Sequence, residues 1–475
     1  MESKFFKVSA LTAAMVGALS AAPVMATEDS AAGPEYVVAV NEFLDDSTLA
    51  GVAVVDTRSR TRTTGKPGGE DGDTWSRLNY SAYNLILDFT SGYHNGWLGA
   101  DIAGYVSGDL YNDSAVHGGK NSPNYGRTLA NEISTSTNLD WGSGDGDPVK
   151  ITKAALKFKA GQNVDGRFGF TQANGNGVLG NVWSFVPGTY RGAELNANFG
   201  NFKATYFIAD QFTAPWILSE KDYAPTGWAD TKWGIAHSLG LQGNATDDLF
   251  LQFGIGQVTD VRYQNGVDWD IDQATGHHDA IDTTGYKVYA KYNINENMSL
   301  AYDFYGVNDD VQYDGLGYTT GLSFNAKFGQ FSWMTDLQYA KSDNDRDVNP
   351  RMIYTYGMTN GTYSLWWDAL SDWNKSGEVS IYNRLSYDQG NGWNYYLGFG
   401  YGSGSKSAAD GAMGDWDYES EYAVNGTVSY SVPNGALKGS TIRLHATMLE
   451  RDEFAGAASA DETDLRFQVI IPYTF

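Results

Sequence analysis

The sequence predicts an all-β chain: a transmembrane antiparallel β-barrel of about eighteen strands, with short periplasmic turns and long extracellular loops. Three observations predict it: an export signal at the N-terminus, period-two alternation of apolar and polar residues over segments of about ten residues, and 14% aromatic residues beside 56 glycines. The 475 residues contain no cysteine, which excludes a disulfide scaffold and thiolate-bound metals.

The chain opens on Lys4 and Lys7, an apolar run from Val8 to Leu19, and the small-residue site Val24-Met25-Ala26, the order of parts in a cleaved signal peptide. Residues 1–26 are therefore expected to be removed and 27–475 to form the barrel, with Thr27 to Asn41 a periplasmic lead-in. Loss of Glu2, Lys4 and Lys7 would move the net charge from −25 to −26. No later stretch offers the ~18 uninterrupted apolar residues that a spanning helix needs.

The last segment puts Leu465, Phe467, Val469, Ile471, Tyr473 and Phe475 on one face, with Arg466 and Gln468 on the other. Ile442, Leu444, Ala446 and Met448 oppose Arg443, His445 and Thr447 in the same way. In Thr152 to Ala160, the apolar set Ala154, Leu156, Phe158 and Ala160 opposes Lys153, Lys157 and Lys159. Alternation alone suits a soluble sandwich as well as a barrel in lipid. The export signal, the aromatic load and a final strand closing on Tyr473 and Phe475 decide for the barrel.

Tight turns are expected at His94-Asn95-Gly96, Gln162 to Asp165, Gly200-Asn201, Asn244 to Asp248, Asn293 to Asn297, Gly329-Gln330, Gln389 to Gly392 and Pro433 to Gly439. Gly, Asn and Asp dominate them because they tolerate positive φ. These turns, with a terminal strand at each end, give about eighteen strands within a range of sixteen to twenty. Asn360-Gly361 is placed inside a long outer loop from Asp343 to Gly377; as a periplasmic turn it would raise the count to about twenty.

Phe43 to Gly51 (FLDDSTLAG), Lys153 to Gly161 (KAALKFKAG), Trp183 to Phe199 (WSFVPGTYRGAELNANF), Ala214-Pro215-Trp216 and Trp366 to Glu378 (WWDALSDWNKSGE) together resemble the chitoporin branch of the OprD family of outer-membrane porins. WSFVPGTYRGAE is the most specific stretch. The resemblance runs from about Phe43 to Phe475, with Ser107 to Asp147 departing most. It implies a substrate-selective, monomeric barrel that admits chitooligosaccharides, chains of N-acetylglucosamine.

If the apolar faces contact lipid, the opposite faces line a pore. Basic lumen candidates are Arg58, Arg60, Arg62, Lys153, Lys157, Lys159, Arg167, Lys203, Lys287, Lys291, Arg384, Arg443 and Arg466; acidic ones are Asp88, Asp101, Glu194, Asp303 and Asp336. Closure of the sheet brings Arg466 and Arg443 beside the Arg58 to Arg62 strand, a cationic sector resembling the basic ladder of the OprD family, with most acid expected in the loops. The outer loop from Asn174 to Tyr190 carries Val178, Leu179, Val182, Trp183, Phe185, Val186 and Pro187, too apolar to be left in water. Folding inward as a constriction would bury it.

Candidates for constriction and sugar contact are Trp183, Phe185, Tyr190, Arg191, Glu194, Asn196 and Trp216, since a flat ring suits a pyranose face and polar groups reach hydroxyls and acetamide. Trp228, Trp233, Trp366, Trp367 and Trp373 stand in or beside outer loops, where membrane-interface anchoring competes with sugar contact. A neutral sugar does not need a cationic wall, a tension within this reading.

GxSxG, HExxH and GxxxxGK[ST] are absent, so no enzyme is expected, nor a cofactor. His277-His278 with Asp279 and Asp282 read as a polar loop rather than a metal site, and the acidity disfavours nucleic acid. The expected partners are outer-membrane lipid, lipopolysaccharide and an oligosaccharide substrate. The competing readings are an OprD-like channel for anionic or zwitterionic nutrients such as amino acids or peptides, and a non-conducting adhesive or structural barrel.

Overall fold

The computed structural model describes residues 42–474 other than 64–73, 114, 117–126, 129–148, 174–175, 180–187, 214–233, 262–280, 311–312, 346–347, 349–368, 372, 406–419 and 453–460. A short helix, α1 (Glu42–Asp45), precedes the barrel. The first nine strands are β1 (Thr48–Thr63), β2 (Thr74–Thr90), β3 (Leu98–Asn112), β4 (Val149–Ala160), β5 (Val164–Thr171), β6 (Thr189–Phe199), β7 (Phe202–Thr213), β8 (Ala236–Asn244) and β9 (Leu249–Val261). The other nine are β10 (Ile281–Asn295), β11 (Met298–Asp309), β12 (Gly315–Phe328), β13 (Phe331–Ser342), β14 (Val379–Asp388), β15 (Trp393–Ser403), β16 (Ser420–Ser431), β17 (Thr441–Arg451) and β18 (Glu462–Thr474). Among the described residues no helix is long and apolar enough to cross a membrane.

Every strand pairs antiparallel with its neighbours in sequence, and β18 pairs with β1, Arg466 facing Arg58, so the sheet closes with no free edge. Closure satisfies every ladder group internally, which a lipid environment demands. Two-residue pieces at Ala115–Val116 and Arg127–Thr128 extend the sheet above β2. All eight expected tight turns fall at one end of the barrel, and glycines with positive φ sit where predicted, at Gly96, Gly200, Gly329 and Gly392. Asn360-Gly361 lies outside the described residues, between β13 and β14, as do residues 1–26 and the lead-in to Asn41.

The strand faces divide as the alternation predicts. Leu465 and Phe467 on β18, Leu444 and Met448 on β17 and Leu156 on β4 are exposed outward, and Leu397 on β15 reaches 72%. Such a surface is stable only against hydrocarbon, since each large side chain left in water forgoes about 1.5–3 kcal/mol. An aromatic girdle rings the turn end, with Phe328 on Phe331 (6.2 Å), Phe331 on Tyr387 (4.9 Å) and Trp393 on Tyr430 (5.0 Å), as expected at a headgroup boundary.

Candidate functional site: the lumen wall and the inward loops

Charged residues stand on the inward faces of many strands. On β1, Arg58 binds Asp464 of β18 (Nη2–Oδ2 2.7 Å), and Arg466 donates to the same carboxylate (2.6 Å). Arg60 donates to Glu462 (Nε–Oε2 3.0 Å), which also takes Arg451 of β17 (2.9 Å). Arg451 reaches Glu421 of β16 (3.0 Å), and Glu421 takes Lys375 from the seventh long loop (2.7 Å). Charge thus alternates from Lys375 through Glu421, Arg451 and Glu462 to Arg60, across the seam of the barrel.

This corrects the expected cationic sector. Asp464 and Glu462 stand on the same face of β18 as Arg466, interleaved with the arginines, because charges buried together are tolerated only when each meets its opposite. Three more wall cations meet carboxylates, and Arg443 meets an amide. Lys153 pairs with Asp88 (2.5 Å), Lys157 with Asp101 (2.8 Å), Arg167 with Glu194 (3.3 Å), and Arg443 donates to Gln468 (Nε–Oε1 2.9 Å). Lys159 sits over the Tyr93 ring at 4.1 Å, in a turn where burial, then Asp165 and Asp101, push the Tyr93 phenol up from its ordinary pKa. The backbone of Arg62 belongs to β1, but its side chain lies outside the described set.

The described part of the third long loop at 176–179 enters the bore. Its described residues Asn176, Val178 and Leu179 are buried against the inward faces of β7 to β11. Asn176 Nδ2 donates to Thr205 Oγ1 (3.0 Å), Gln252 Nε2 to the Asn176 carbonyl (3.0 Å), Val178 N to Ser238 Oγ (2.8 Å), and Tyr305 OH to the Val178 carbonyl (3.0 Å). The approach is close because the wall there is glycine: a Cβ on Gly240 would lie 2.6 Å from Gly177 N.

Behind the loop, Thr205 donates to Asn196 (2.7 Å), and Asn196 to Asp165 (2.8 Å) and Glu194 (3.2 Å), so the predicted Glu194, Asn196 and Arg167 come together. Tyr190 is sealed against Phe207 (5.2 Å) and Phe212 (4.6 Å), a packing residue here rather than a surface open to solute. Arg191 is a second correction. It points away from Tyr190 to the outer side of the wall and pairs with exposed Asp210 (2.5 Å), because the period of two that turns Tyr190 and Glu194 inward turns Arg191 outward. Trp183, Phe185, Trp216, Trp228, Trp233, Trp366, Trp367 and His277-His278 lie outside the described residues.

The described end of the seventh long loop, from Ala369 to Glu378, enters from the opposite wall. Trp373, expected among the outer-loop aromatics, is 1% exposed inside the bore and lies over Gly400, where a Cβ would collide with its ring. Gln338 donates to the Trp373 carbonyl (2.9 Å), and Ser371 to Glu421 (2.5 Å). Asp303, Asp336 and Lys287 sit on the inward faces of β11, β13 and β10. His445 lies between Thr427 and Thr447 (2.7 Å each), and among the described residues no three acids or histidines cluster as a metal site.

A closed barrel, apolar outside and charged within, with two loop limbs folded into its bore, is an outer-membrane porin. The sequence is 30% identical to the chitoporin of Escherichia coli K12 over 96% of this chain and 97% of that protein. The chain belongs to the chitoporin branch of the OprD family. Solved structures agree on the fold: Pseudomonas aeruginosa OccK9 (OpdG) matches with TM-score 0.64 at 15% identity over 91% of this chain and 100% of that one. OpdK from the same organism, solved with vanillate, matches with TM-score 0.61 at 17% identity over 91% of this chain and 100% of that one. No family model matches the sequence.

Proposed function

We propose that this porin admits chitooligosaccharides by passive diffusion, without chemical turnover. The observation that carries the reading is its relation to E. coli chitoporin across nearly the whole chain. Two features of the bore support it. The limb at Asn176 to Leu179 leans into the lumen and would narrow it, which suits a selective channel rather than a wide sieve. The pairing of wall cations with carboxylates also relieves the tension of a neutral sugar in a basic pore, because each pair offers donors and acceptors side by side and little net field.

Planar-bilayer recording of the purified protein tests the reading. Chitohexaose is expected to interrupt the current in discrete events whose frequency rises with sugar concentration. An open current indifferent to millimolar chitohexaose would overturn the substrate assignment and leave the porin intact.

A further inference from the structure

Most aromatic side chains inside the barrel are taken up by packing. Tyr80, Tyr105, Tyr190, Tyr305, Tyr382 and Trp373 are each 1% exposed or less. Two others are covered by cations: Lys157 and Lys159 lie over the Tyr93 ring, and Arg384 lies over the Tyr396 ring at 5.1 Å. Phe250 on β9 and Tyr289 on β10 differ from all of these. Both face the bore and stay partly exposed, and among the described residues no cation lies over either ring. Their centroids are 6.1 Å apart at 64°, one ring edge-on to the other. Register sets this corner directly against the third-loop limb. Phe250 is one inward position below Gln252, whose amide donates to the Asn176 carbonyl, and Tyr289 faces Gln252 across the β9–β10 pair. On the other flank Gln242 of β8 also faces Gln252, and among the described residues its amide has no partner.

We propose that Phe250 and Tyr289 form a stacking platform for one pyranose ring of the oligosaccharide, on the turn side of the third-loop limb. The substituents of an N-acetylglucosamine ring stand equatorial, so each face of the sugar is a patch of C–H groups. Such a patch suits the negative face of an aromatic ring. The polar rim of the sugar needs a few placed donors and acceptors, which the Gln242 amide and the Tyr289 hydroxyl supply beside the rings. A sugar that passes the limb meets these two rings next, whereas the sealed aromatics offer it no surface. The inference rests on the chitooligosaccharide reading and adds to it the place where the chain is held.

The test is chitohexaose block of the intact porin in a planar bilayer, read as the mean duration of blocked events. Phe250→Leu with Tyr289→Leu keeps apolar bulk and removes both flat faces. Blocked events are then expected to shorten by about tenfold, since weaker contact shows mainly as faster release. Phe250→Tyr with Tyr289→Phe keeps both rings and should keep the parent's durations. Unblocked conductance should match the parent in both pairs, and heat-dependent gel mobility establishes that they are folded barrels. Tyr289→Leu alone, a milder change, should shorten the events by a smaller factor and serves where the leucine pair does not fold. An unblocked parent would overturn the sugar reading and the platform together. A folded leucine variant with the parent's durations, or a ring exchange as damaging as the leucine pair, would overturn the platform and leave the sugar reading standing.

Discussion

The two loop limbs inside the bore reach the wall by different means. The third loop arrives without charge: Asn176, Gly177 and Val178 dock through backbone groups and one amide, onto wall positions kept clear by glycine. The seventh loop brings a buried lysine, and Lys375 is met by Glu421, itself held by Arg451. One limb is fixed by shape and the other by charge as well as shape. A shape-fixed limb tolerates the loss of one polar partner but not an added methyl group. A charge-fixed limb fails when one ion is removed, because the remaining ions stay buried and uncompensated.

The largest expected effect is therefore at Glu421. Glu421→Ala takes from buried Lys375 its nearest carboxylate and from Arg451 one of its two, a loss of up to about 3–5 kcal/mol to the docked state. The limb from Ala369 to Glu378 is expected to leave the wall, raising single-channel conductance and lowering the temperature at which the barrel unfolds on a gel. Glu421→Gln keeps the volume and two hydrogen-bonding atoms and should fall between. If both variants conduct and melt like the parent, charge does not hold this limb.

The third loop should respond to bulk instead. Gly240→Ala places a methyl group against the Asn176 and Gly177 backbone, which has no side-chain freedom with which to yield. Overpacking of this kind costs about 1–3 kcal/mol, enough to displace Asn176 from Thr205 and Gln252. Conductance should rise and chitohexaose block weaken, as they should on deletion of Gly177 to Val186. An unchanged pore in both variants would show that this limb does not narrow it.

Much of this was legible beforehand, for reasons particular residues make clear. The turns could be read because Asn95-Gly96, Gly200 and Gly329 occupy backbone conformations that few other residues adopt. The facing of β18 could be read from Arg466 and Gln468, and the same parity carried two and four residues toward its start names Asp464 and Glu462, the acids that turn an expected cationic wall into an alternating one. Arg191 was legible by that parity too, since Tyr190 and Glu194 cannot face inward while Arg191 does. The lodging of Trp373 was not. No period governs a loop, and its limb turns through left-handed φ at Leu370 and Trp373, which nothing in those side chains announces. The charge chain from Lys375 to Arg60 was hidden for a related reason: it joins a loop to β16, β17 and β18, and reaches β1 only because the barrel closes.

The smallest effect sharpens the comparison most. Tyr305→Phe removes the single hydroxyl that donates to the Val178 carbonyl and leaves the ring, the glycine landing and the other contacts of the third loop in place. A neutral hydrogen bond contributes about 1 kcal/mol net, so the limb should stay docked while exchanging with an undocked state several times more often. Mean conductance is expected to hold and open-channel noise to grow. The removal of one neutral bond from the shape-fixed limb thus gives fluctuation, where removal of one ion from the charge-fixed limb gives displacement. A Tyr305→Phe pore as fully opened as Glu421→Ala would erase that distinction, since it would mean that one neutral bond holds the third loop as firmly as a buried carboxylate holds the seventh.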